Sequence, residues 1–280
     1  MSDARVDPLS GAPTLIVPGR QSRPNLAGGS CPFCPGGLEA PEPYETRWFP
    51  NRWPSLTGGR CEVHLFSPDH HASLGSIGPA GVARVLDLWA SRTDAHARRP
   101  EVAYVLVFEN RGADAGATVR HPHGQLYAYT EVPPVPRREL EGGCALCAPS
   151  PPELTVVEQD GWRAVVPYAA QYPYELLIAP DEHAPDLAAA RATFPGASAV
   201  IASALGALDR ALGAPAPYML WVHQRPTDGA PWPAAHVHVH VAPQWRAPGV
   251  VRYVAAAELG AGVYLNPVAP EEAAAALRRA

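Results

Sequence analysis

Short apolar runs alternate with polar loops rich in proline and glycine along the first half of the chain. The apolar runs predict strands over 14–17, 61–66 and 102–108. Between the last two strands, apolar residues recur at positions i, i+3, i+4 and i+7, and this spacing predicts a helix over 79–91. The first half is therefore expected to combine a small sheet with one amphipathic helix.

The second half shows the same order of patterns. Apolar runs predict strands over 154–158, 162–167, 175–179 and 218–222, and a helical spacing predicts a helix over 197–212. A pattern that occurs twice in one chain is typical of a duplicated structural unit.

The duplication predicts an α+β fold with two similar halves, residues 1–131 and 132–280. Each half is expected to be an antiparallel sheet with a helix packed on one face, and the two would form one pseudo-symmetric subunit. A proline-rich stretch, 132–136, is interpreted as the connector between them.

Charge and hydropathy exclude several classes of protein. The net charge is −5, so no basic field indicates a nucleic-acid partner. No apolar run is long enough to span a bilayer, and the N-terminus does not resemble a signal peptide. We expect a soluble cytoplasmic protein with no membrane partner.

Four of the five cysteines form two Cys-x-x-Cys pairs, Cys31/Cys34 and Cys144/Cys147. In a cytosolic chain such pairs are usually metal ligands or redox pairs. The redox interpretation requires a βαβ context, which neither pair has. The pairs are therefore expected to bind metal.

Histidines follow both cysteine pairs at matched distances. His70 lies 36 residues after Cys34, and His183 lies 36 residues after Cys147. A Cys₂His₂ set suits tetrahedral zinc, and closed sets of this kind are usually structural. Reduced thiols in turns, with histidines hydrogen-bonded at strand ends, are the alternative. The two predicted zinc sets are Cys31, Cys34, His70 and His121 in the first half, and Cys144, Cys147, His183 and His236 in the second.

The segment His121-Pro122-His123-Gly124-Gln125 carries the candidate chemistry. Histidines two apart in a strand point the same way, so a metal at His121 would fix the backbone that aims His123. A neutral imidazole is a competent nucleophile toward phosphorus at neutral pH. His123 is therefore the candidate nucleophile.

This segment, with Phe108-Glu109-Asn110-Arg111-Gly112 and Gly116 before it, resembles the galactose-1-phosphate uridylyltransferase family of the histidine-triad superfamily. The resemblance covers nearly the whole chain and implies two histidine-triad-like halves. It also implies a homodimer with the active site near the subunit interface.

The resemblance implies ping-pong transfer of UMP between UDP-hexose and a hexose 1-phosphate, with galactose 1-phosphate as the expected acceptor. His123 would carry the uridylyl group, and the neutral amide of Gln125 would favour a phosphate acceptor over water. The other implied substrate contacts are Arg20 and Arg23 for phosphate, Phe49 and Asn51 for the nucleoside, Gly116 and Thr118 around the acceptor phosphate, and Arg252 and Glu258 for the hexose. Asn110 is a further implied substrate contact.

Some positions depart from the family pattern. Arg52 replaces an acidic residue that could hold the ribose, which leaves the nucleotide specificity open. In the family's second metal site a Glu joins three histidines, which we match to His223, His236 and His238. Because His236 is also assigned to the Cys144/Cys147 set, His223 is expected to have another role.

Three alternatives remain open from the sequence. The motif His236-Val237-His238-Val239-His240 fits the plain histidine-triad pattern, so His238 could be the nucleophile of a nucleotidyl hydrolase. A related phosphorylase would use inorganic phosphate on a nucleoside diphosphate sugar or a dinucleoside polyphosphate. A zinc-stabilised nucleotide-binding protein without activity is the non-enzymatic alternative.

Overall fold

The computed structural model describes residues 3–22 and 30–280. In these residues thirteen strands and five helices follow one another. The strands are β1 (Asp3–Val6), β2 (Pro13–Ile16), β3 (Arg47–Pro50), β4 (Cys61–Leu65), β5 (Tyr104–Arg111), β6 (His123–Tyr129), β7 (Thr155–Gln159), β8 (Trp162–Val165), β9 (Leu176–Pro180), β10 (Tyr218–His223), β11 (His238–Pro243), β12 (Trp245–Ala247) and β13 (Val250–Val251). The helices are α1 (Gly78–Ala97), α2 (Pro134–Leu140), α3 (Phe194–Ala211), α4 (Ala256–Ala261) and α5 (Pro270–Arg279).

Nine strands form one antiparallel sheet in the order β3-β4-β6-β5-β10-β11-β9-β8-β7. The central pair is β5 and β10, with Phe108 opposite Trp221. The expected α+β architecture with antiparallel sheets is confirmed, but the two expected sheets are one continuous sheet. Pairing β5 with β10 satisfies backbone groups that would otherwise lie on two unpaired edges.

One face of this sheet is buried under α1 and α3. Val107 of β5 and Leu220 of β10 are buried there with Trp89 of α1. The alternate residues Phe108 and Trp221 point to the opposite face and are half-buried. Burying one large apolar side chain contributes about 1.5–3 kcal/mol, so packing against the helices stabilises this face, while the opposite face remains partly accessible.

The predicted elements are present, with shifted ends. The helix predicted over 79–91 is α1, which extends to Ala97. The proline-rich connector 132–136 is not entirely irregular, because α2 begins within it at Pro134. Proline is tolerated in the first helical turn, where its missing N–H would have no intrahelical partner.

By length and composition alone, the stretch Arg191–Ala211 could cross a membrane. This stretch contains α3, whose Val200, Ile201 and Leu205 are buried in the core. Its apolar character is therefore accounted for by packing against the sheet and α1.

Candidate active site and metal centres

His123 is the first residue of β6 and lies opposite Leu65 of β4. Its Nδ1–H donates a hydrogen bond of 2.8 Å to the carbonyl oxygen of His121. This bond fixes the tautomer, so the imidazole lone pair is on Nε2. The geometry required of a nitrogen nucleophile is thus set by the backbone two residues earlier.

Gly124 holds this part of β6 close to its neighbours. A Cβ at this position would lie 2.7 Å from the carbonyl oxygen of Phe108 and 2.7 Å from Cζ of Phe66. Both distances are well inside van der Waals contact, so a side chain here would push β6 away from β5. Glycine is required for the position that His123 occupies.

Gln125 lies on the same face of β6 as His123. Its Oε1 accepts a hydrogen bond of 3.2 Å from Nδ2 of Asn51. Oδ1 of Asn51 in turn accepts a bond of 2.8 Å from the backbone N–H of Trp53. This chain of bonds orients the amide of Gln125 and leaves its NH₂ group to donate near His123.

A cavity of about 210 Å³ opens beside these residues, and we call it the aromatic cavity. Phe33, Phe49 and Val63 provide its apolar lining, while His123 and Gln125 also line it. The rings of Phe33 and His123 are 5.2 Å apart. Apolar walls next to an imidazole and an amide suit a ligand that joins a flat ring to a polar group. The other polar lining residues are Glu39, Asn51, Arg52 and Thr118.

A second cavity, of about 490 Å³, shares Val119 and His123 with the first, and we call it the loop cavity. The loop between β5 and β6 forms much of its lining, including Gly112 and Arg120, and Asn110 near the end of β5 also lines it. Gly116 of this loop has φ of +82° and packs near Asn110. His123 therefore lies between two cavities, which is the arrangement that a group-transfer reaction with two substrates needs.

Glu109 also lines the loop cavity, although its side chain is buried. Tyr218 donates a hydrogen bond of 2.9 Å to its carboxyl group. Burial raises the pKa of Glu109 to about 7, against the opposing effects of the Tyr218 hydrogen bond and the Arg111 charge. The negative charge of Asp209, which is paired with Arg111 at 2.7 Å, raises the pKa of Glu109 further.

We expect Glu109→Gln to become progressively more stable than the natural protein as pH rises from 5 to 8. A carboxyl group with a raised folded-state pKa stabilises the fold below its unfolded value of 4.5, and that contribution is lost as pH rises through about 7. The difference in the free energy of unfolding should grow by up to about 3 kcal/mol, measured by urea denaturation at both pH values. Glu131→Gln, at an exposed position, should show no such trend. A constant difference between Glu109→Gln and the natural protein would contradict the assignment.

Arg20 lies near β6. Its guanidinium donates to the carbonyl oxygen of Trp53 at 3.3 Å, to the hydroxyl of Tyr127 at 3.2 Å and to the hydroxyl of Ser55. Tyr127 is two residues beyond Gln125 on the same face of β6. Arg23 lies outside the described residues.

Arg252 and Glu258 are placed elsewhere. They form a buried ion pair, and neither is among the lining residues of the aromatic or loop cavity. Glu258 also accepts hydrogen bonds of 2.6 Å from the backbone of Ala255 and 2.9 Å from that of Leu265. Within this chain, the pair stabilises the C-terminal segment, and the structure does not bring it together with His123.

The first predicted metal set is assembled in three dimensions. The ligand atoms of Cys31, Cys34, His70 and His121 all lie within 4.8 Å of one another. Sγ of Cys34 is 3.5 Å from Nδ1 of His70 and 3.6 Å from Nδ1 of His121. Tetrahedral zinc with ordinary bond lengths places sulfur and nitrogen ligands about 3.6 Å apart, so these donors fit the ion.

A hydrogen bond from Nε2 of His121 orients its ring so that Nδ1 can bind a metal. Nε2 lies 2.8 Å from the carbonyl oxygen of Ser67 and donates its proton there. The lone pair is then on Nδ1, which faces the cysteines. Metal-bound histidines are commonly oriented by such a hydrogen bond.

The second set, Cys144, Cys147, His183 and His236, is assembled in the same way. Nδ1 of His236 is 3.2 Å from Sγ of Cys144, and Nδ1 of His183 is 3.3 Å from Sγ of Cys147. Unlike the first set, it is open to solvent, because Cys147 and His183 are exposed. Both predicted Cys₂His₂ groups could therefore hold a metal.

A third cluster contains Glu139, His223, His238 and His240. Nδ1 of His223 is 2.6 Å from Glu139, and the buried Nε2 atom of the half-buried His240 has no hydrogen-bond partner among the described residues. A metal would satisfy that nitrogen. This corrects the match proposed from sequence, because His240 rather than His236 completes the trio and His223 takes part. The sequence pattern does not indicate Glu139, because this residue lies on α2, whose proline-rich start resembles a connector.

The chain is similar to known proteins in both sequence and structure. Residues 51–133 match the family model for the galactose-1-phosphate uridyl transferase N-terminal domain. A galactose-1-phosphate uridylyltransferase of Thermotoga maritima is 30% identical over 99% of this chain and 98% of its own length. The corresponding enzyme of Streptomyces lividans is 37% identical over 80% of this chain and 70% of its own length.

The chain is also similar to solved structures of uridylyltransferases and of a related phosphorylase. A uridylyltransferase structure is 29% identical, covers 100% of this chain and 98% of that chain, and has a TM-score of 0.91. An Arabidopsis thaliana ADP-glucose phosphorylase with bound ADP-glucose is 26% identical, covers 100% of this chain and 99% of that chain, and has a TM-score of 0.81. The chain belongs to the galactose-1-phosphate uridylyltransferase family.

Proposed function

We propose that this protein transfers UMP between UDP-hexose and a hexose 1-phosphate, with galactose 1-phosphate as acceptor, through a uridylyl group on His123. The position of His123 between two cavities carries the proposal. The hydrogen bond to the carbonyl oxygen of His121, which fixes the tautomer of His123, is consistent with it. The nucleoside would occupy the aromatic cavity, next to Phe49 and Asn51.

In the first half-reaction, Nε2 of His123 attacks the α-phosphorus of UDP-hexose. A nitrogen–phosphorus bond forms, the bond from phosphorus to the bridging oxygen breaks, and hexose 1-phosphate leaves. Positive charge develops on the imidazole, where the Nδ1–H bond to the His121 carbonyl stabilises it. In the second half-reaction, a phosphate oxygen of the acceptor attacks the α-phosphorus, and His123 leaves as the neutral imidazole.

Neither half-reaction needs a proton donor, because the leaving group and the acceptor are both phosphate anions. The neutral amide of Gln125 is consistent with this, since it can donate to a phosphate oxygen without titrating. Asn110, Gly116 and Thr118 would contact the acceptor phosphate. Arg20 and Arg23 would balance phosphate charge.

We propose zinc as the metal in the two Cys₂His₂ groups, where it would supply structural cross-links. The first group would hold the loop of Phe33 and the backbone of His121, and therefore both the aromatic cavity and the tautomer of His123. All five cysteines are unpaired, which is consistent with a reducing cytoplasmic location.

A homodimer is also part of the proposal. The C-terminal segment exposes large apolar side chains, of which Tyr253, Leu259 and Leu265 are 82%, 73% and 62% exposed. Exposed apolar groups gathered in one segment are typical of a protein interface.

A phosphorylase is the second candidate. An ADP-glucose phosphorylase of Arabidopsis thaliana is 28% identical over 99% of this chain and 92% of its own length. That enzyme's name implies inorganic phosphate as acceptor and adenine as base, and Arg52 alters the cavity where the nucleotide would bind.

A panel of donors and acceptors tests the proposal. UDP-glucose and ADP-glucose are each incubated with galactose 1-phosphate, inorganic phosphate or buffer, and the products are separated by ion-exchange chromatography. We expect the highest kcat/KM for UDP-glucose with galactose 1-phosphate. A preference for ADP-glucose with phosphate would identify a phosphorylase, and release of UMP in buffer would identify a hydrolase. Nucleotide binding without any exchange would identify a non-catalytic protein.

A further inference from the structure

We propose that Glu39 determines the selection of ribonucleotides over deoxyribonucleotides in the aromatic cavity, by accepting hydrogen bonds from the 2′- and 3′-hydroxyls of the ribose. The inference rests on the proposed function, because it assumes that the cavity holds a nucleotide. It concerns the part of the site where the sequence departs from its family.

The backbone around Glu39 is fixed by the loop that carries the first cysteine pair. The N–H of Glu39 donates to the carbonyl oxygen of Pro32 at 2.9 Å, and its own carbonyl accepts from Nε of Arg47 at 3.1 Å. The N–H of Gly36 donates to the carbonyl oxygen of Ala40 at 2.8 Å, which closes the turn. A carboxylate on a backbone held this firmly is preorganised for binding.

The side chain of Glu39 lines the aromatic cavity and is only 23% exposed. Its carboxylate is 3.9 Å from the guanidinium of Arg52, beyond hydrogen-bonding distance. The oxygens can therefore accept from a ligand, while the nearby positive charge offsets their repulsion of the diphosphate.

The other polar groups around the cavity match a pair of adjacent hydroxyls less well than this carboxylate does, and Thr118 offers only a single hydroxyl oxygen. The amide oxygen of Asn51 accepts from Trp53, and that of Gln125 accepts from Asn51. Arg52 only donates hydrogen bonds. Among the described lining residues, Glu39 is the only carboxylate, and two adjacent hydroxyl donors are well matched to its two oxygens.

The order of base, ribose and phosphate in a nucleotide agrees with a contact between the ribose and Glu39. The base would pack against Phe33, Phe49 and Val63, and the α-phosphorus must reach Nε2 of His123. The ribose joins these two groups, so it lies between the apolar walls and the nucleophile, where its hydroxyls face the polar residues Glu39 and Arg52.

The test is calorimetric binding of UMP, 2′-deoxy-UMP, AMP and 2′-deoxy-AMP to the full-length protein. The ratio of Kd values for the deoxy and ribo forms reports the hydroxyl contact independently of the base. We expect the natural protein to favour the ribo form by about tenfold or more, as for a hydrogen bond to a charged group. Glu39→Ala should reduce the ratio to near one, and Glu39→Gln, a neutral acceptor, should give an intermediate value.

Glu42→Ala is the matched control, because Glu42 is exposed in the same loop and should keep the full ratio. Equal melting temperatures and metal contents would show that the Glu39 variants retain the fold. An unchanged ratio in Glu39→Ala would overturn the inference and leave the proposed function intact. If the natural protein bound neither UMP nor AMP, the proposed function and the inference would both fail.

Discussion

His123→Asn should lower the rate of nucleotidyl exchange by about 10⁴-fold or more, because no other group replaces a covalent nucleophile efficiently. Asparagine keeps a side-chain N–H that can donate to the carbonyl oxygen of His121, so the strand should remain in place. The measurement is incubation with radiolabelled UDP-glucose alone, followed by acid-free denaturation and detection of label on the protein. The natural protein should become labelled, and His123→Asn should not.

His238→Asn provides the matched comparison. Nδ1 of His238 lies 2.7 Å from the carbonyl oxygen of His236, which repeats the arrangement at His123. Nε2 of His238, however, is 3.5 Å from Glu139 and belongs to the third cluster. We expect His238→Asn to retain labelling. Label on His123→Asn and none on His238→Asn would reverse the assignment and favour the hydrolase interpretation.

The second large effect is expected from loss of the first metal group. Cys34→Ser should remove about one zinc ion per chain and lower the melting temperature by about 10 °C or more, since metal binding at such a site contributes directly to folding. Nucleotide binding should weaken as well, because Phe33 and Glu39 are held by the loop that Cys34 anchors. Metal analysis, calorimetry and UMP binding measure the three effects.

Cys147→Ser makes the corresponding change in the second group. Cys147 is exposed and distant in sequence from the residues around His123, so this variant should lose zinc while keeping nucleotide affinity. An unchanged zinc content in both variants would contradict the assignment of zinc. Equal loss of nucleotide binding in both would contradict the specific link between the first group and the aromatic cavity.

The two Cys₂His₂ groups could be predicted from the sequence, because the spacing between the cysteine pair and the following histidine is the same in both halves of the chain. His70 and His183 follow their cysteine pairs at the same distance, and each ends in hydrogen-bonding range of a cysteine. The strands and helices were also predicted well, since alternating and helical periodicities are local properties. Their ends shifted by a few residues because caps and turns depend on tertiary contacts.

Other features depend on contacts that periodicity does not encode. The junction of β5 with β10 makes one sheet of two and could not be read from either half alone. Glu139 follows a proline-rich stretch, and such a stretch is more often a loop than a helix. Prolines in a first helical turn followed by charged residues are nevertheless a recognised signal for the start of a helix. The burial of Arg252 against Glu258 and the position of Glu39 depend on how distant loops fold over the sheet.

The close approach at Gly124 has a consequence for natural sequence variation. Phe66 fills the space beneath Gly124, and its ring lies 5.7 Å from that of Trp89 in α1. A substitution at Phe66 or Trp89 changes the support of the strand that begins with His123, from the side of the sheet away from the cavities. A sequence change in this buried column can therefore alter the position of His123, although neither Phe66 nor Trp89 is among the residues that line the two cavities.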